Sequence, residues 1–281
     1  MNKIYDCFTF YNEFELLEIR FKELYNKVDH FVIVESNQTF TNRKKPWNFD
    51  ITKYPDYADK IIHIQVEDMP NTGNAWDNET HQRDCILRGT LGADDNDIII
   101  ISDADEIPRA EVVARMRNSE QLIFALRMPL FNFKFNYMRK TPGEYTVWPM
   151  AARKSVFDNI TPNVLRSMRF NFNDSPYNFV NDGCEVVEHA GWHFSYLGNK
   201  EYLIDKAQSF SHTEVNNPEF LAHIDIEASI RERKEWNRTQ SAQYEIVELD
   251  DYFPKILQDQ KYKMFVLDSP MATVHDILPF F

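Results

Sequence analysis

Apolar residues follow two rhythms along this chain. A short block of β-forming residues, Ile4 to Phe10, gives way to Phe14, Leu17, Phe21, Leu24 and Tyr25, which recur at the spacing of one helix face. The pattern predicts a buried strand over 4–10 and an amphipathic helix over 13–27, with Asn12 as N-cap and Glu15 completing a capping box. Phe31 to Val34 predicts a second strand ending at Glu35-Ser36-Asn37, and Ile61 to Val66 a third. A helix carrying Glu79, Arg83, Ile86 and Leu87 is expected between Trp76 and Leu91. It leads into Asp97-Ile98-Ile99-Ile100-Ile101-Ser102, the most strand-like stretch of the sequence, which runs into Asp103.

Beyond Pro108, a favoured first-turn residue, a short helix is expected over 108–117. Strands are expected in 122–137, 145–157 and 184–196, and helices over 200–210 and 218–236. The alternation predicts an α/β fold: a Rossmann-like, mostly parallel sheet flanked by helices, in one domain with a helical C-terminal part. Residues 1–215 form its body and 216–281 a helical extension packed on the same domain. Ligands of open sheets bind beyond the carboxyl ends of the strands, which directs attention to Phe10–Asn12, Glu35–Asn37 and Ser102–Glu106 as neighbours in one crevice.

Composition narrows the function. With 281 residues, 43% hydrophobic, the chain can bury a sizeable core. Only 7 glycines against 14% aromatics speak against disorder and against a glycine-rich phosphate loop. A net charge of −13 leaves no basic face for a nucleic-acid backbone and no attraction to an anionic membrane. The first residues lack the apolar core of a signal peptide, no run of 18 apolar residues occurs, and Cys7, Cys85 and Cys184 are well separated. These features lead us to expect a cytoplasmic protein with reduced thiols and no membrane span.

The chemistry concentrates at Ser102-Asp103-Ala104-Asp105-Glu106, with three carboxylates in four residues at the mouth of the isoleucine strand. Carboxylates so close repel one another unless a cation compensates, and oxygen ligands of this kind suit Mn2+ or Mg2+ shared with phosphate oxygens. An isolated Asp-x-Asp is more often a solvated acidic turn; here its companions add weight. Glu79 and Arg83 share a helix face, as a surface ion pair or with Arg83 reaching the carboxylates or a diphosphate. In His189-Ala190-Gly191-Trp192-His193, Trp192 offers a flat wall for a sugar ring and His193 a ligand for metal or phosphate, unless both are core residues.

Phe10-Tyr11-Asn12-Glu13, Val34-Glu35-Ser36-Asn37, Trp76 with Arg83, Ser102-Asp103-Ala104-Asp105-Glu106-Ile107-Pro108 and Ala190-Gly191-Trp192-His193 occur in the order seen in glycosyltransferase family 17, which this sequence resembles over about residues 3–200. The resemblance implies a GT-A-type domain, a UDP-sugar donor (UDP-GlcNAc), a glycan acceptor, a divalent metal and inversion at the anomeric carbon. On that reading Asp103, Asp105 and His193 hold Mn2+ or Mg2+, with His212 in reserve. Phe10, Asn12, Glu35, Arg83, Asp103 and Trp192 contact the nucleotide-sugar, Glu35 through uracil or ribose. The base that deprotonates the acceptor should follow well after the metal motif, which makes Glu188 the first candidate and Asp182 the second, with Glu185 behind them. Trp148 and Phe131, Phe133 and Phe135 line an acceptor groove or pack in the core.

Two other readings compete. A sugar-1-phosphate nucleotidyltransferase shares the sheet but opens with a glycine-rich basic loop, whereas residues 1–30 contain no glycine. A non-catalytic carbohydrate-binding protein would bind sugar independently of UDP.

Overall fold

The computed structural model describes all residues except Met1, 141–144, 175–182, 236–242 and 279–281, and the side chains of 173–174. Twelve strands are described: β1 (Ile4–Thr9), β2 (His30–Ser36), β3 (Ile61–Val66), β4 (Ile98–Asp103), β5 (Glu106–Pro108), β6 (Ile123–Met128), β7 (Leu130–Asn132), β8 (Tyr137–Arg139), β9 (Thr146–Arg153), β10 (Cys184–Val187), β11 (Gly191–Ser195) and β12 (Tyr244–Ile246). Seven form a central sheet in the order β10-β6-β9-β4-β1-β2-β3, parallel throughout except for β9. This is the Rossmann-like, mostly parallel architecture that the alternation predicted. The other five, β12-β8-β7-β11-β5, make a smaller mixed sheet.

Burial on both faces explains the isoleucine run. Ile98 and Ile100 pack with Leu17 and Phe21 of α1 (Phe14–Leu24), while Ile99 and Ile101 face Cys85 and Ile86 on the opposite side. A strand that meets helices on each face has no polar alternation to keep. The helix expected over 76–91 is divided at Cys85 into α2 (Ala75–Asp84) and α3 (Ile86–Gly89), where Gly89 lets the backbone approach Val32.

Helix starts depart from the sequence expectation in two places. Glu13, not Asn12, caps α1, and its carboxylate accepts from the backbone N–H groups of Tyr11 and Asn12, both at 3.0 Å. Pro108 ends β5 rather than opening a helix, and α4 runs Ala110–Arg117. The 162–174 segment forms α5 (Pro162–Ser167) and α6 (Arg169–Asp174), followed later by α7 (Lys200–Ser209), α8 (Pro218–Ala222) and α9 (Ile226–Glu232). Residues past 216 are not wholly helical. They contribute β12, and Val247, Tyr252 and Phe253 pack against Leu16 and Ile19 of α1. Among the described residues no helix is long and apolar enough to cross a membrane.

Candidate functional site

Topology places the site. From β1 the chain adds β2 and β3 on one side, then returns to lay β4 on the other. The winding therefore reverses at the carboxyl ends of β1 and β4, where successive crossovers diverge and leave a crevice. Thr9 and Asp103 are partners across that point. A cavity of about 420 Å3 opens there, bounded by Phe10, Tyr11 and Glu13 on one side and Asp103 to Glu106 on the other.

After the acidic turn the chain leaves the central sheet as β5 and pairs antiparallel with β11, in the register Glu106 with His193 and Pro108 with Gly191. The Phe194 amide donates to the Asp105 carbonyl at 2.8 Å. A Cβ on Gly191 would lie 2.1 Å from the Ile107 carbonyl oxygen, so only glycine permits this approach. The pairing brings His193 Nε2 to 3.6 Å from Asp105 Oδ1, with the imidazole edge-on to Trp148 at 4.2 Å between centroids.

Beneath the turn lies a buried ion pair. Arg20 of α1 binds Asp6 of β1 through Nε at 2.6 Å and Nη2 at 2.5 Å. The same guanidinium donates to Ser102 Oγ at 2.6 Å and to the Glu106 and Asp103 carbonyls at 2.9 and 3.3 Å. Arg20 thus fixes the backbone that presents the carboxylates.

The acidic cluster is met by cations of the chain itself. Asp103 accepts from Arg83 at 2.9 Å and Arg166 at 3.0 Å. Glu106, buried, pairs with Arg166 and accepts the Asp103 amide at 3.0 Å. Asp105 faces Lys206 of α7 at 3.3 Å as well as His193. Burial alone would raise the pKa of Asp103, but Arg166 and Arg83 hold it well below the ordinary carboxylate range. Burial acts likewise on Asp105, yet Lys206 and His193 bring it down to about 2. Both carboxylates are therefore ionised at neutral pH. Glu13 goes the other way, its pKa raised by burial against the opposing pull of Lys206.

The profile of glycosyltransferase family 17 matches residues 1–265. The chain belongs to glycosyltransferase family 17. Among its relatives is the β-1,4-mannosyl-glycoprotein 4-β-N-acetylglucosaminyltransferase of Rattus norvegicus, 28% identical over 159 residues, which are 52% of this chain and 29% of that protein. The Homo sapiens protein of the same name is 29% identical over 150 residues, 48% of this chain and 27% of that protein. The match thus spans under a third of either relative's length. Glucosyl-3-phosphoglycerate synthase from Mycobacterium tuberculosis, solved with Mn2+, UDP-glucose and phosphoglyceric acid, resembles this chain with a TM-score of 0.39 at 13% identity, covering 70% of this chain and 73% of that one.

Within this family 17 chain the structure gathers Phe10, Arg83, Asp103, Asp105 and His193 around the cavity, with His212 and Trp148 on its wall. Other expected site residues stand elsewhere. Glu35 is fully buried and accepts from Lys45, from the amides of Asn48 and Phe49, and from His63, so it fastens the 45–49 loop rather than meeting a nucleotide. Asn12 is not among the lining residues, and its side-chain amide donates to Asp205 at 3.4 Å. Trp192 is 2% exposed, donates to the Tyr252 carbonyl and packs under Arg109, so it is core and not a sugar platform. Glu188 pairs with Arg127 at 2.7 Å away from the cavity, because β6 and β10 lie at the far edge of the sheet. Glu185 pairs with Arg115. Phe131, Phe133 and Phe135 are core. Asp182 lies outside the described residues.

Sequence reasoning passed over Arg166, Arg169 and Lys206, which face the acidic turn from helices far along the chain. The one available signal was the spacing of Arg166 and Arg169, three apart beside Asn163. Among the described residues, the only group of three or more His, Cys, Asp or Glu side chains with donor atoms mutually within 4.8 Å is Asp68, His81 and Cys85, and it lies outside the cavity with Asp68 already held by Arg88.

Proposed function

We propose that the cavity binds UDP-GlcNAc and transfers its sugar, with inversion, to a hydroxyl of a glycan acceptor. The observation that carries this is Asp105 beside His193 at the reversal of the sheet, in a chain of a glycosyltransferase family. The N-acetylglucosaminyl donor follows the names of the relatives.

The donor set bears on the implied metal. One carboxylate oxygen of Asp105 and the His193 Nε2, 3.6 Å apart, can share one Mn2+ or Mg2+ ion. Asp103 already accepts one arginine on each oxygen, so it is less free to join them than Asp105 is. When bound, the ion supplies Lewis-acid stabilisation of the diphosphate as it leaves. Lys206 keeps Asp105 ionised and adds positive charge next to it. Trp148, in edge contact with His193, gives the cavity a flat wall for a sugar ring.

Direct inversion needs a base. Of the carboxylates lining the cavity, Glu79, Asp103, Asp105, Glu106 and Glu235 all sit in ion pairs, whereas Glu13 has none among the described residues. Burial also makes Glu13 more basic than an ordinary glutamate, which strengthens it as a proton acceptor. Glu13 therefore takes the role first expected of Glu188.

A screen of nucleotide sugars, measuring UDP release with an oligosaccharide acceptor in Mn2+ and in chelator, tests the reading. UDP-GlcNAc should be consumed fastest, only with metal, and the product should carry a β linkage by NMR. Absence of turnover with every donor, or turnover indifferent to chelation, would count against it.

A further inference from the structure

We propose that Arg83, Arg166 and Arg169 form a seat for the diphosphate group that holds a nucleotide even without a divalent ion. The proposal rests on the nucleotide-sugar reading and specifies which side of the cavity takes phosphate.

Three guanidinium groups gather at one wall of a chain whose net charge is −13. Two are nearly fully buried, Arg83 at 5% and Arg166 at 2% exposure. Their Nη2 groups are spent on Asp103, on Glu79 from Arg83 and on Glu106 from Arg166, and Arg83 Nη1 reaches Asn163. Arg83 Nε, Arg166 Nε and Arg166 Nη1 remain buried without an acceptor. Buried N–H groups left in this state are costly, and native folds seldom tolerate several together unless a ligand completes them.

Arg169 is a different case. Among the described residues it has no carboxylate partner, and its guanidinium lies over the rings of Phe170 at 4.8 Å and Trp148 at 5.9 Å. Burial and the nearby Arg166 lower its pKa to about 10, so the protein pays to keep this charge beside two others of the same sign. A cation entering on this side would deepen the repulsion. An anion with several acceptor oxygens would relieve it.

The planar fork of arginine matches phosphate oxygens, and three such groups around one wall suit a diphosphate better than a single carboxylate. Asp103 supplies the preorganisation, because it ties Arg83 and Arg166 through its two oxygens before any ligand arrives. The opposite wall, with Asp105 and His193, is left for the metal.

Calorimetry of the full chain with inorganic pyrophosphate, UDP and uridine, each in EDTA, tests this directly. Pyrophosphate and UDP should bind, and uridine at least about tenfold more weakly than UDP. Arg169→Ala should weaken UDP and pyrophosphate by about tenfold or more without changing uridine, and Arg169→Lys should lie between. Arg115→Ala, which removes an exposed arginine paired with Glu185, should leave all three unchanged, and thermal melts confirm that each variant is folded. UDP binding only in the presence of Mn2+, or affinity for UDP and pyrophosphate that is indifferent to Arg169→Ala, overturns the seat. If no donor is turned over while Arg169-dependent pyrophosphate binding persists, the transferase reading falls and the seat stands.

Discussion

His193 Nε2 stands 3.6 Å from Asp105 Oδ1, and the contact exists only because β11 pairs with β5 immediately after the acidic turn. The imidazole arrives as a consequence of strand register. Its neighbours Gly191 and Phe194 are fixed to the same β5 segment, so the Asp105–His193 pair and the small sheet are one structural unit.

Asp105→Asn should lower metal-supported UDP release at least about a hundredfold, since it removes the charge that would face the ion. The same variant tests a stability effect. The folded pKa of about 2 lies below the unfolded value, so ionised Asp105 stabilises the fold fully above about pH 4 and loses that contribution as pH falls toward 2. Urea unfolding at a series of pH values should show the wild type losing about 2 kcal/mol more than Asp105→Asn across that window.

Glu13→Gln should reduce kcat by about 10²–10⁴-fold with UDP affinity little altered. Because burial raises the Glu13 pKa, the acidic limb of the wild-type rate profile should lie above the range of an ordinary glutamate, with activity falling as pH drops through it. Glu188→Gln should leave turnover within a few-fold of wild type, because that carboxylate is committed to Arg127 away from the cavity. The reverse ranking in a steady-state comparison would return the base role to the later segment.

Asp6→Asn should destabilise the protein by about 3–5 kcal/mol in denaturant unfolding, as expected when one member of a fully buried pair is removed. Loss of activity beyond the loss of folded protein is also expected, since Arg20 holds the Asp103 and Glu106 carbonyls.

Gly191→Ala places a methyl group 2.1 Å from the Ile107 carbonyl oxygen and must push β5 and β11 apart. The expected outcome is metal-supported activity reduced at least about tenfold, through displacement of His193, and a lowered melting temperature. A variant that keeps wild-type activity would show that His193 is not held by this pairing.

Much of the fold was legible in the linear pattern because local rules govern it. Ile98 to Ile101 can only be a strand covered on both faces, and Asp103-Ala104-Asp105 follows at its end, where the reversal of an open sheet leaves a crevice. Arg83 was legible too, four residues from Glu79 on a helix that precedes that strand. What the sequence could not rank were groups whose roles depend on distant partners. Glu35 and Glu188 looked free and are both held by cations, from a neighbouring loop in one case and an adjacent strand in the other. Trp192 looked like a platform, but β11 carries it into the core while turning His193 toward Asp105. Apart from the three-residue spacing of Arg166 and Arg169, these two and Lys206 leave no mark in the sequence, since a charge near a carboxylate acquires meaning only through distance and burial, and tertiary folding sets both.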